Sequence, residues 1–503
     1  MGHGRRRSSV LNLLLALLTA ALLVLAFPRF DVSWLAAVAL GPLLVAMGRE
    51  RRAARRFLFG WVAGLAWWLG TCYWIQFVLQ RHSGLPAAGS WVGLLLFAIF
   101  KALHMAVFAV LGGIALRRGW ALAAVPALWV AIERTHGPLG FAWLALGNAG
   151  IDMELPMRLA PYTGVYGLSF VFAMLGAALA AAGLGRRRQL AWLLLLPPLL
   201  LLPRLPAPQA GTQAAVLVQP NIAGDADWTE PWVRRMEQRL AFLSLRAATE
   251  QGGGAPQLVV WPEVPLPAYY YENARFRELV SEVARSTRTH LLLNVVPHDA
   301  RGAPLNSALL LDPYGRPLGR YDKLFLVPFG EYVPAPFQFV SKISSEVGDF
   351  VPGRELVVLR AGGRPIGAFI CYEAVFPHLV RRLAAAGAQL LVNLSNDGWY
   401  GRTAARDQHL KIARMRAAEN GRWMLRATND GITATIDPAG RVYRPLPSYV
   451  EAAVRTSFTY LESKTLYTRY GDWFVALCAV VAAVSLLPPW RRRFRLRTAT
   501  RGE

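Results

Sequence analysis

The chain has 503 residues, 54% of them hydrophobic, and a mean hydropathy of +0.31. That is too apolar for an ordinary soluble protein and points to a membrane protein. Its formal charge of +24 arises from 55 basic and 31 acidic residues, but much of the excess lies in short arginine clusters beside apolar runs, which argues against a nucleic-acid partner.

Seven apolar runs precede residue 212, near 9–27, 31–48, 57–79, 89–116, 119–135, 160–184 and 189–204, and an eighth lies near 471–490. All but the seventh approach or exceed the ~20 residues that cross a bilayer as an α-helix. The seventh, QLAWLLLLPPLLLLPR, is short and carries Pro197-Pro198. The first run competes with a signal peptide, but no small-residue cleavage site follows it and further spans come at once, so a retained helix is expected.

The loop charges test the count. Arg5-Arg6-Arg7 precede the first run, and Arg49, Arg51, Arg52, Arg55 and Arg56 separate the second from the third. Arg117-Arg118, then Arg186-Arg187-Arg188, then Arg491-Arg492-Arg493 with Arg495 and Arg497, complete the set. All fall on one side if every run crosses, and the positive-inside rule makes that side the cytoplasm. The expected layout is a membrane domain over 1–211 with seven transmembrane helices, a catalytic domain over 212–468 facing away from the cytoplasm, an eighth transmembrane helix over 469–490 and a basic cytoplasmic tail over 491–503. Lys101 and His104 interrupt the fourth run; they are expected to face the helix bundle or a watery cavity.

From Thr212 the pattern changes. AAVLVQPNI, QLVVWPE, HLLLNVVP, NSALLLDP, PIGAFICYE, QLLVNLSN and WMLRATNDGITATID read as strands. Helical patterns run from Trp232 to Thr249, Phe276 to Thr287, Phe376 to Ala386 and Ala405 to Glu419. Asp312-Pro313-Tyr314-Gly315 and Asp437-Pro438-Ala439-Gly440 mark turns between strands. Alternating strands and helices imply a layered α/β domain. Neither a glycine-rich phosphate loop nor a clustered His/Cys metal pattern is present, so no cofactor is expected. The three cysteines, Cys72, Cys371 and Cys478, form no disulfide framework.

Three segments carry candidate chemistry. Glu263 closes an apolar strand in Trp261-Pro262-Glu263, where poor solvation raises a carboxylate's pKa and suits it to act as a base. Lys323, one of only five lysines, sits in the aromatic stretch YDKLFLVPFGEY with Glu331; a fixed ammonium there can stabilise an oxyanion. Cys371 lies between an apolar strand and a helical segment in Cys371-Tyr372-Glu373, the placement of a nucleophile whose thiolate helix amides could stabilise. Each alone also fits a structural reading: a loop glutamate, a surface ion pair, a buried cysteine.

Together these segments resemble the nitrilase, or carbon-nitrogen hydrolase, superfamily, on WPE, YDKLFLVPFGEYVP and CYE. NLSNDGWYG at 393–401 and the following HLKIARMRAAENGRWMLRATNDGITATIDPAGR resemble one membrane-bound branch, the apolipoprotein N-acyltransferases. The resemblance implies an α-β-β-α sandwich beside the membrane helices and a catalytic triad of Glu263, Lys323 and Cys371, supported by Glu331, with Tyr372 and Glu373 shaping the oxyanion region. It further implies a phospholipid acyl donor, a diacylglyceryl-modified apolipoprotein acceptor, a cysteine thioester intermediate and a place in the bacterial inner membrane, with the catalytic domain on the periplasmic side. A membrane-tethered amidase that hydrolyses a small amide, or a non-enzymatic scaffold, are the alternatives. Tyr269-Tyr270-Tyr271 and Trp399-Tyr400 suit the membrane interface and loop packing equally.

Overall fold

The apolar N-terminal runs fold as helices whose outer faces keep large hydrophobic side chains exposed. In α1 (Gly2–Ala26) Leu14 and Leu18 point outward while Ala16, Ala20 and Leu23 are buried. That pattern suits a lipid surround rather than water. The computed structural model describes residues 2–82, 85–139, 141–224, 228–250, 255–263, 269–333 and 349–488. The arginine-rich tail expected over 491–503 and the last residues of the eighth run lie outside these, as do the side chains of Arg5, Arg6 and Arg7.

After α1 come α2 (Gly41–Arg49), α3 (Ala53–Thr71), α4 (Trp74–His82), α5 (Ala87–Ala115), α6 (Ala121–Arg134), two single turns α7 (Glu154–Met157) and α8 (Ala160–Thr163), and α9 (Val165–Gly183). Among the described residues, three helices are long and apolar enough to cross a bilayer: Ser8–Ala26, Ala87–Ala115 and Val165–Gly183. α3 and α4 make a fourth if taken as one span bent by 59°. α3 packs closely on α5 because Gly60 and Gly64 offer no side chain: a Cβ on Gly60 would lie 2.5 Å from the Cβ of Ala109. Such small-residue contacts are the usual means of joining helices in lipid. Lys101 of α5 is buried in the bundle and donates to the Phe141 carbonyl at 3.1 Å.

The seventh run is not the α-helix expected from its apolar composition. Arg187–Leu195 and Pro197–Leu201 form 3-10 helices with no buried residue. Pro197 and Pro198 provide no backbone N–H, which breaks an α-helical hydrogen-bond ladder. At about 2.0 Å per residue this extended form still reaches roughly 30 Å.

Beyond it the described residues form two six-stranded sheets. The first has the order β12-β1-β2-β3-β4-β5, from β1 (Gln213–Gln219), β2 (Leu258–Val260), β3 (His290–Val295), β4 (Ser307–Leu311), β5 (Pro317–Asp322) and the late strand β12 (Ala452–Phe458). The second has the order β11-β10-β9-β8-β7-β6, from β6 (Leu359–Ala361), β7 (Arg364–Ile370), β8 (Leu390–Ser395), β9 (Met424–Thr428), β10 (Ala434–Ile436) and β11 (Val442–Tyr443). β1, β2 and β3 are parallel, as are β7, β8 and β9, with antiparallel strands on the flanks. The crossovers are α10 (Glu230–Thr249) and α11 (Ala274–Thr287) in the first half, α12 (Pro377–Ala385) and α13 (Ala405–Asn420) in the second. The two predicted Asp-Pro turns close their hairpins, Gly315 N donating to Asp312 O and Gly440 N to Asp437 O, both at 2.9 Å.

Alternation along the strands builds the layers. Ala215, Leu217, Leu258 and Val260 face Ile366, Ala368, Ile370, Val392 and Leu394 in a core between the sheets. Their neighbours Val216, Val218, Val259 and Leu291 face α10 and α11 instead. This is the α-β-β-α sandwich, since a strand buried on both faces needs a layer on each. The chain then closes with α14 (Leu466–Tyr470) and α15 (Trp473–Leu486).

The outer face of the second sheet is covered twice, by α12 and α13 and then by the membrane helices, in one continuous apolar cluster. α13 is therefore buried on nearly every side although its sequence is rich in charge. Gln408 makes the contact specific. It accepts from the indoles of Trp74 (3.2 Å) and Trp143 (2.7 Å) and donates to the carbonyls of Pro28 (2.6 Å) and Thr71 (3.1 Å). Lys411 reaches Asp31 (2.5 Å) and Asp152 (3.1 Å) beside it. Gln408→Leu strands several buried polar groups and should lower stability by on the order of 3 kcal/mol. Thermal unfolding of the detergent-solubilised protein checks this, and an unchanged midpoint would show that apolar packing alone holds the domains together.

Candidate active site

Glu263, Lys323 and Cys371 leave the C-terminal ends of three strands. Glu263 follows β2 through Trp261 and Pro262, Lys323 directly follows Asp322 of β5, and Cys371 directly follows Ile370 of β7. Asn306, just before β4, and Asn396, just after β8, lie at the same end. Face-to-face packing of the sheets brings these ends together, although they are spread from residue 263 to residue 396.

The Lys323 ammonium, 1% exposed, lies 2.8 Å from Glu331 Oε1 and 3.4 Å from Glu263 Oε1. Asn306 Nδ2 bridges the two carboxylates, donating to each at 2.7 Å. The second oxygen of each is also held: Glu263 Oε2 accepts from the Asn396 amide (3.1 Å) and Glu331 Oε2 from the Val327 amide (2.7 Å). Burial by itself would lower the lysine pKa, but Glu263 and Glu331, with Cys371, hold it above its ordinary value. An ammonium enclosed in this way stays charged, and removing it leaves two buried carboxylates without their cation, which costs on the order of 3–5 kcal/mol.

Cys371 opens a five-residue 3-10 turn, Cys371–Val375, with φ of +48°. A side chain in the left-handed region costs of order 1–3 kcal/mol and persists only where its surroundings enforce it. Cys371 is 4% exposed, and burial together with the charge of Glu263 pushes its thiol well above the ordinary range, against the opposing pull of Lys323 and the Asn396 amide. The side chain rests as a thiol, and a base must take its proton for it to react.

Tyr372 and Glu373, expected to shape the oxyanion region, face different ways. Glu373 is fully buried and accepts four hydrogen bonds: from Tyr321 Oη and the amides of Leu324 and Phe325 on one oxygen, and from the Ile370 amide on the other. It fastens the cysteine turn to the segment that follows Lys323. Burial pushes its pKa up to about 7 in spite of these donors. Tyr372 turns toward the membrane domain, its ring 6.1 Å from Phe141 and 6.5 Å from Trp143. Tyr400 is likewise buried against Trp74, and Trp399 packs on His82 of α4 with ring centroids 4.2 Å apart and the rings tilted by 45°, so this pair packs between the domains. Tyr269 and Tyr271 are exposed and Tyr270 is buried.

Asn306 and Asn396 were not legible as site residues. An asparagine before a strand gives no chemical signal, and Asn396 stood out only as part of the NLSNDGWYG stretch. Among the described residues no group of three or more His, Cys, Asp or Glu is placed to hold a metal ion.

Two family profiles match the chain. Carbon-nitrogen hydrolase covers residues 215–455, and the apolipoprotein N-acyltransferase N-terminal domain covers residues 19–178. Curated relatives named apolipoprotein N-acyltransferase align over nearly the full length. The protein of Geobacter metallireducens is 36% identical over 501 residues, 95% of each chain. That of Azotobacter vinelandii is 35% identical over 497 residues, 93% of each. Among solved structures, an amidase from Nesterenkonia sp. aligns with 21% identity and a TM-score of 0.38, covering 54% of this chain and 98% of its own.

A thiol held above its usual pKa gains thiolate as pH rises. Alkylation of Cys371 by iodoacetamide should therefore quicken about tenfold per unit across pH ~7–9 without levelling. Peptide mass spectrometry measures the rate, and a plateau below pH ~8 would reveal a preformed thiolate.

Proposed function

The chain belongs to the apolipoprotein N-acyltransferase family, and on that premise we propose that it moves an acyl chain from a phospholipid to the α-amino group of a diacylglyceryl-modified N-terminal cysteine of apolipoproteins. The observation that carries the mechanism is the enclosed Glu263–Lys323–Glu331 cluster electrostatically coupled to the buried Cys371 thiol. Glu263 takes the thiol proton as Cys371 Sγ attacks the donor ester carbonyl. Lys323 stabilises the negative charge that develops on the carbonyl oxygen. The lysophospholipid leaves, taking the proton, and a thioester remains on Cys371. The lipoprotein amine then attacks this thioester and gives its proton to Glu263; the C–S bond breaks, the acyl chain leaves as an amide, and Glu263 returns the proton to Cys371 Sγ. Glu331 and Asn306 hold Lys323 and Glu263 in register, and Glu373 braces the cysteine turn.

The membrane helices serve the same chemistry. Both substrates are lipid-anchored, so a site tied to the bilayer meets them by diffusion in two dimensions. The arginine clusters support a bacterial inner-membrane protein with eight crossings and residues 212–468 on the periplasmic side. The seventh crossing is then made by the 3-10 segment.

Labelled phospholipid separates the candidate activities: transfer to a lipopeptide for an acyltransferase, free acid for an amidase, neither for a scaffold. Cys371→Ser should abolish turnover with the protein still folded in the membrane, and near-normal transfer would remove the nucleophile assignment. Lys323→Met should slow thioester formation by on the order of 100- to 1000-fold with less effect on donor binding. Lys323→Arg should also be poor because a planar guanidinium does not replace a compact ammonium. Wild-type single-turnover rates in both variants would reduce Lys323 to a structural charge. A cysteine placed at the exposed Arg301 should react with impermeant thiol reagents from the periplasmic side. Reaction solely from the cytoplasm would reverse the topology.

A further inference from the structure

A second buried polar network lies against the nucleophile and takes no part in the steps above. Asp397, His409 and Arg426 are all 0% exposed, and they come from the loop after β8, from α13 and from β9. Arg426 Nη2 donates to Asp397 Oδ2 at 2.8 Å, and its Nη1 donates to Asn393 Oδ1. Ser395 Oγ donates to Asp397 Oδ1 at 3.0 Å. His409 Nδ1 lies 3.0 Å from Asp397 Oδ1 and 3.2 Å from Arg426 Nη2, and its Nε2 lies 3.1 Å from the backbone oxygen of Cys371. A carbonyl can only accept, so Nε2 carries the proton and donates it.

Two features of the site hang on this network. One is the left-handed backbone of Cys371, whose carbonyl His409 grips. The other is the Asn396 amide, which donates to Glu263 Oε2 and belongs to the residue next to Asp397. The far side of the network is closed by the membrane domain. Trp143 stacks on the His409 ring, 5.5 Å between centroids at 30°, and donates its indole N–H to Gln408, the preceding residue of α13.

Resting on Cys371 as the nucleophile, we propose that Asp397, His409 and Arg426 are positioning residues that fix the Cys371 backbone and the Asn396 amide for acyl transfer, and that Trp143 of the membrane domain holds His409 in place. None of them touches the reacting atoms. Their contribution is geometric: a displacement of about 1 Å at a reacting group costs on the order of 100-fold in rate.

Single-turnover acylation of the full-length protein by labelled phospholipid tests this. His409→Gln places an amide N–H close to the position of Nε2, whereas His409→Asn reaches only as far as Nδ1. His409→Asn should acylate on the order of 100-fold more slowly at saturating donor, with the half-saturating donor concentration unchanged. His409→Gln should stay within about tenfold of wild type. A merely structural histidine would predict equal losses in both, so equal rates for the two variants, or a wild-type rate in His409→Asn, overturn the proposal. Trp143 supplies an independent measurement if the histidine variants fail to fold. Trp143→Phe keeps a ring over His409, Trp143→Leu does not, and the leucine variant should be the slower at saturating donor; equal rates overturn the proposal. A wild-type protein that forms no thioester on Cys371 overturns the acyl-transfer mechanism and this proposal with it, whereas a wild-type thioester with unaffected variants overturns this proposal alone.

Discussion

Everything at the site depends on keeping one ammonium charged where water does not reach. Lys323 is almost wholly buried, and an unpaired lysine in such a place would give up its proton. Two carboxylates prevent this, and they in turn need donors: Asn306 between them, the Asn396 amide on one, the Val327 amide on the other. The cluster therefore fixes the ends of strands in both sheets at once. Sliding one sheet over the other would strip Glu263 of the Asn396 amide, so the contact that ties the second sheet to the cluster also aligns the candidate reacting groups.

The same cluster sets the resting state of Cys371. Burial, together with the charge of Glu263, outweighs Lys323 and leaves a thiol. A buried thiol is protected from adventitious electrophiles and is activated only when a base beside it accepts the proton. For the proposed mechanism this means that activation and attack occur together, in the presence of the donor, rather than through a standing thiolate.

α13 is the element that joins the two halves of the molecule. A helix with this much charge would ordinarily lie on a surface. Here one face meets the second sheet and the other meets the membrane helices, and neighbouring polar side chains find partners on different sides: Gln408 and Lys411 toward the membrane helices, His409 toward the cysteine turn. Residues adjacent in sequence thus report to different domains, and the catalytic half is not an independent module resting on an anchor.

Much of this was written in local sequence. Apolar length announced the membrane helices, because crossing a bilayer demands it. Strand and helix periods from Thr212 onward gave the α/β layers, because burial on two faces and on one stripe leaves different spacings. Glu263, Lys323, Glu331 and Cys371 were conspicuous because charge or sulfur stood in apolar surroundings, and the structure brings the three charged residues into direct contact. Other features depended on partners distant along the chain. The seventh run lost its α-helix to a proline pair whose effect on length alone was ambiguous. Glu373 and Tyr372, adjacent in sequence, part company because one faces between the sheets and the other faces the membrane domain. Asn306 acquires its role only where two carboxylates from different strands converge on it, and the burial of α13 follows from a second domain packing on its charged face. A sequence specifies which groups prefer water or apolar surroundings; which charge meets which, and with how little water between them, is set only when the sheets and helices close on one another.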